Sequence, residues 1–199
     1  MSDIGSRSTQ YLDDIISSLE AMKKNFPKKA EDIASILTKA RDSGKRIYVM
    51  GNGGSASTAS HMASDLGKGA SRKDAARFRS IALTDNIPIM LAWANDSSYE
   101  DIFVEQLRNH LEKADVVIGI SGSGNSENVL RAIEYANKEG AETIGLSGFD
   151  GGKLAKLART SYIVPNHCMQ QIEDIHLIIE HLLSIILRDS AECAGKCER

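Results

Sequence analysis

The sequence predicts a doubly wound α/β domain, a five-stranded parallel sheet with helices on both faces, preceded by N-terminal helices. Two observations carry this. Five short runs, RIYVM (46–50), SIALT (80–84), DVVIGI (115–120), ETIGL (142–146) and SYIVP (161–165), are rich in β-branched residues and nearly continuous in apolar character. That is the pattern of strands covered on both faces, whereas a half-exposed antiparallel strand alternates. Between the runs lie helix-length stretches such as ENVLRAIEYANKEG (127–140), the kind of crossover that parallel neighbours require.

In chain order, apolar residues first recur at helical spacing from Tyr11 to Arg41: Leu12, Ile15, Ile16, Leu19 and Met22, then Ala30, Ile33, Ile36, Leu37 and Ala40. Pro27 stands between the two sets, which predicts two helices. The character changes at Lys45, where the first strand begins, and strands and helices then alternate. The last element, from about Gln170 to Arg188, is a long apolar-periodic helix whose Ile- and Leu-rich face suits a second subunit as well as the sheet. Residues 1–44 are therefore expected to serve packing and oligomerisation and 45–190 to form the α/β domain. Residues 191–199 (AECAGKCER) are expected to form a flexible polar tail.

Composition narrows the function classes. With 199 residues, 42% hydrophobic and 26% charged, the chain suits one domain with a full core. The formal charge of −3, from 24 basic and 27 acidic residues, advertises no surface for nucleic acid. No apolar run approaches a membrane span or a signal-peptide core, so a cytoplasmic protein without membrane contact is expected. Cys168, Cys193 and Cys197 are odd in number and read as reduced thiols.

Two strand-to-helix turns stand out. The first strand runs into GNGGSASTAS (51–60) and the third into SGSGNSEN (121–128). In an open α/β sheet the ligand crevice lies at the carboxyl ends of the strands, where helix N-termini offer unpaired N–H groups to an anion. Glycines let such a loop wrap closely, and Ser55, Ser57, Thr58, Ser121, Ser123 and Ser126 bring hydroxyl donors. A phosphate fits this chemistry. Neither turn matches a P-loop or G-x-G-x-x-G, which disfavours a nucleotide.

Together, the GNGGS turn, the SGSGNSENVLRAIEYAN turn and helix, LSGFDGGKLA (146–155) and IHLIIEHLL (175–183) resemble the sugar isomerase (SIS) domain family, and within it the phosphoheptose isomerases. The resemblance runs from about Tyr11 to Arg188. It implies a flavodoxin-like three-layer fold and conversion of sedoheptulose 7-phosphate to D-glycero-D-manno-heptose 7-phosphate by a homotetramer with sites at subunit interfaces. It also implies phosphate binding by Ser55, Ser121, Gly122, Ser123 and Ser126, with Asn52, Gly53, Asn95 and Asp96 near the sugar.

Aldose–ketose isomerisation needs a base for a C–H proton and an acid that serves the oxygens. His61 and Asp65 lie four apart on the helix after the first turn, hence on one face. Glu173 and His181 lie eight apart on the late helix, with His176 and Glu180 about one position off that line. The family places a histidine and a glutamate base on the first of these helices, and a glutamine and a histidine acid on the second. Some members hold zinc among the four. By position, His61, Asp65, Glu173 and His181 match them, with Asp65 as base and His181 as acid.

Two of the four differ. Asp65 is one methylene shorter than the glutamate, and Glu173 adds an anion where the family has an amide. Two histidines with two carboxylates form a tetrahedral zinc set. Without metal, neighbouring carboxylates repel, and one tends to hold a proton that could serve as the acid. His110 and His176 read as packing residues, and KGASRKDAARFR (68–79) as a solvated basic loop or a steering surface for an anionic substrate. The alternatives are an isomerase of another sugar phosphate and a non-catalytic SIS module similar to the member that binds a replication initiator.

Overall fold

A computed structural model describes residues 3–73 and 75–194. The N-terminal segment folds as one helix, correcting the expectation of two: α1 (Ile4–Asp42) passes through Pro27. Proline removes one backbone bond and crowds the preceding turn, at a cost of about 3 kcal/mol. Met22, Phe26, Ile33 and Leu37 are all buried on one side of α1, and each is worth about 1.5–3 kcal/mol. Because that stripe continues in register across Pro27, helical continuation outweighs the proline.

The five expected strands form, as β1 (Arg46–Gly51), β2 (Arg79–Ala82), β3 (Val116–Ser121), β4 (Glu142–Ser147) and β5 (Thr160–Ile163). All neighbouring pairs are parallel, and the sheet order is β2-β1-β3-β4-β5. The order reverses direction between β1 and β3, so their carboxyl ends border the crevice where such sheets bind ligands. Gly51 pairs with Ile120 there, which brings the two glycine- and serine-rich turns side by side.

The helices between the strands are α2 (Gly54–Ser64), α3 (Ile87–Asp96), α4 (Val104–His110), α5 (Glu127–Lys138) and α6 (Leu154–Leu157). α7 (Met169–Ala194) closes the fold. Strand residues alternate between two cores: Ile47, Val49, Ile118 and Ile144 face α1, α2 and α7, while Tyr48, Met50 and Val117 face the side of α4, α5 and α6. The helical backbone of α7 extends past Arg188 to Ala194, into the expected tail. Residues 195–199, with Cys197, lie outside the described residues, as does the side chain of Cys193. Cys168 is a free thiol, partly buried, just before α7. No helix among the described residues is long and apolar enough to cross a membrane.

Candidate functional site

At the first turn, a Cβ on Gly51 would lie 2.7 Å from that of Ser55, so only glycine lets α2 fold back onto the strand end. Gly53 has φ +56°, the left-handed region that glycine adopts without strain. The space that a Cβ on Gly54 would need is filled by the carboxylate of Glu173, at the start of α7. Ser55 is buried under the turn.

At the second turn, the hydroxyls of Ser121 and Ser126 are 3.0 Å apart, and Ser123 Oγ accepts from the Asn125 N–H at 3.2 Å. The Gly122 carbonyl accepts from the Gly148 N–H at 2.8 Å, and the Gly124 carbonyl accepts from the Leu154 N–H at 2.9 Å. These bonds brace the turn against the LSGFDGGKLA segment. Neither Gly53 before α2 nor Ser126 before α5 gives its helix a side-chain cap. Each helix thus starts without a bond from its N-cap side chain, and helix starts of this kind favour an anion.

The two turns are tied by residues that the sequence did not single out together. Asn52 Nδ2 donates to Asn128 Oδ1 and Asn128 Nδ2 donates to Asn52 Oδ1, each at 2.9 Å. Tyr99 Oη donates to Asn52 Oδ1 at 3.0 Å. Asn128, at 2% exposure, reads in sequence as an ordinary residue of a helix's first turn; its partner is 76 positions away.

The second half of the site lies where α2 and α7 meet. His61 comes from the last turn of α2, and Asp65 begins a π-helical turn (Asp65–Gly69) that follows it. The Nε2 atoms of His61 and His181 are 3.2 Å apart, their rings edge to face. His61 Nε2 lies 3.9 Å from Asp65 Oδ1, and His181 Nε2 lies 3.5 Å from Glu180 Oε2. One ligand atom from each of His61, Asp65, Glu180 and His181 lies within 4.8 Å of the others. The chain therefore has a His/Asp/Glu cluster able to hold a metal. The group takes in Glu180 and not Glu173, whose carboxylate lies against the first turn.

Glu180 is 1% exposed and neither of its oxygens has a hydrogen-bond donor. Burial first, and then the neighbouring Asp65 carboxylate, pushes its pKa up to about 7. His176, next along the inner face of α7, is fully buried, with Nε2 3.2 Å from the Ser147 carbonyl. That contact fixes Nε2 as the protonated nitrogen, and burial lowers the pKa to about 4. His176 is a packing residue, as its sequence position suggests, and His110 is exposed at the end of α4.

Among the described residues, Asn95 and Asp96 make no hydrogen bond to either turn. They are exposed at the end of α3, where Asn95 Nδ2 donates to Asp96 Oδ1 at 2.7 Å.

Residues 10–148 match the SIS domain family. The phosphoheptose isomerase of Aquifex aeolicus is 36% identical, covering 91% of this chain and 99% of its own. That of Nitratiruptor is 38% identical, covering 90% and 99%. The solved phosphoheptose isomerase of Neisseria gonorrhoeae superposes with a TM-score of 0.88 at 26% identity, over 94% of this chain and all of its own. With the five-stranded parallel sheet and the paired serine turns, these likenesses leave one placement: the chain belongs to the SIS domain family and, within it, to the phosphoheptose isomerases.

Proposed function

We propose that the protein is an aldose–ketose isomerase that interconverts sedoheptulose 7-phosphate and D-glycero-D-manno-heptose 7-phosphate through an enediol. The observation that carries this reading is a site with two ends. Uncapped, serine-lined helix starts suit a phosphate, and histidines with carboxylates at the far end of α2 suit proton transfer. The phosphoheptose isomerases that the chain resembles supply the substrate. A non-catalytic module would have no use for a buried carboxylate facing two histidines.

Ser55, Ser121, Ser123 and Ser126, with the backbone at Gly122, hold the phosphate. Asn52, Gly53 and Glu173 border the sugar. Asp65 takes the proton from C1 while its electron pair forms C1=C2 and O2 takes a proton from His181. The enediol then collapses: His181 removes the proton on O1, C1=O forms, and Asp65 returns its proton to C2. Zinc would suit the donor set of the cluster, supplying positive charge against the developing enediolate.

We place the working enzyme in the cytoplasm as a homotetramer. Two apolar surfaces support the assembly. Ile178, Leu182 and Ile186 of α7 border a groove of about 530 Å³ against Met22, Phe26 and Pro27. α3 buries none of its residues, with Leu91 64% exposed, and it carries Asn95 and Asp96 at its end. Covering α3 with a neighbour would deliver that pair to an interfacial site.

The test is turnover of sedoheptulose 7-phosphate by metal-reconstituted protein in deuterated water. Aldose carrying deuterium at the exchanging carbon is expected. Neither product nor exchange, with ligand still bound, would overturn the reading.

A further inference from the structure

α2 and α7 run side by side in the same direction. Gly54 meets Glu173 at their starts, His61 meets His181 farther on, and Gly69 beyond Asp65 approaches Ser184. From Gly54 to His61 is seven residues, and from Glu173 to Glu180 is also seven. At 1.5 Å per residue each step advances about 10 Å along its helix. Glu173 and Glu180 therefore point from nearly the same face of α7 toward different levels of α2, Glu173 at the turn and Glu180 at the histidines.

We propose that Glu180, not Glu173, is the fourth ligand of a zinc site completed by His61, Asp65 and His181, leaving Glu173 to the substrate end. Tetrahedral zinc with bonds of 2.0–2.1 Å needs ligand atoms about 3.3–3.4 Å apart. The His61–His181, Glu180–His181 and His61–Asp65 separations are 3.2, 3.5 and 3.9 Å. Glu180 is buried with neither oxygen hydrogen-bonded, and one of them lies within the group, an arrangement a cation satisfies. Two carboxylates balance the charge of a divalent ion. The second carboxylate of the set thus comes from the residue beside the acid histidine, in a chain whose other carboxylate, Asp65, is a short one.

This ligand set deepens the isomerase reading and rests on it for the site, but its test reads metal and not turnover. Full-length protein, stripped of metal, is titrated with zinc against a chromophoric chelator, and its melting is followed with and without zinc. Wild type is expected to take one zinc per protomer. Glu180→Gln is expected to weaken zinc at least as much as the roughly 10- to 100-fold cost of losing an outer-shell partner, without lowering the melting temperature of the metal-free protein. Glu173→Gln is expected to keep wild-type affinity. The assignment is overturned by a wild type that takes no zinc, by a Glu180→Gln that keeps its affinity or loses it only through a less stable metal-free fold, or by a Glu173→Gln that loses zinc. Zinc bound as expected with no turnover would leave the ligand set standing and sink the isomerase reading.

Discussion

Asn52 and Asn128 hold each other through two reciprocal amide hydrogen bonds, joining the end of β1 to the first turn of α5. Asn128→Ala removes both bonds and leaves Asn52 Nδ2 without its acceptor, while Tyr99 still donates to Asn52 Oδ1. Stability should fall by about 1–3 kcal/mol in denaturant titration. Because the pair sets the spacing of the turns, the substrate KM should rise more than kcat falls. A fall in kcat alone would place Asn128 elsewhere in the mechanism.

Ser123 leaves its hydroxyl proton free while its oxygen accepts from the Asn125 N–H. Ser123→Ala should therefore weaken phosphate binding, seen as a raised KM with little change in kcat and a raised inhibition constant for inorganic phosphate. Unchanged phosphate inhibition would contradict the role.

Asp65→Asn keeps the size of the side chain and removes the base. Turnover should fall at least roughly 10²-fold, with substrate binding by calorimetry nearly intact. Full activity would take Asp65 out of the base role.

The metal-free protein carries two buried groups whose pH effects oppose. Glu180 has its pKa raised from 4.5 to about 7, so the folded state binds more protons than the unfolded one between those values and stability falls as pH rises. His176 has its pKa lowered from 6.5 to about 4, so the unfolded state binds more protons there and stability rises with pH. The two slopes largely cancel from about pH 4.5 to 6.5. Glu180→Gln should unmask the histidine, giving a melting temperature that climbs through this range; a flat profile in that variant would refute the pairing.

Leu182 lies on the α7 face left partly exposed with Ile178 and Ile185. Leu182→Glu should shift the protein to smaller species in sedimentation and reduce activity with it. An unchanged assembly would move the subunit contact to another face.

The sheet was legible in the sequence because each strand is a β-branched run covered on both faces, and the turns because glycine and serine cluster where strands end. Pro27 misled because local backbone chemistry speaks at one residue, while the stripe from Met22 to Leu37 that overrides it speaks only through packing. Glu173 and Glu180 could not be ranked from periodicity, since at seven residues apart they project from nearly the same face of α7. Their levels along α2 differ: Glu173 lies beside Gly54, and Glu180 groups with His61. The Asn52–Asn128 pair carries no local signal, because it exists only once β1 and β3 lie side by side.

The shared direction of α2 and α7 makes the site a measuring rod. On the proposed reading, phosphate sits by Ser55 at one end and the reacting carbons lie by His61 and His181, two helical turns or about 10 Å farther on. An open-chain seven-carbon sugar bridges that span with its phosphate and its carbonyl at opposite ends. A shorter sugar phosphate anchored by the same serines would bring its carbonyl up short of the histidines, so chain length is selected by the rise of a helix before any hydroxyl is recognised.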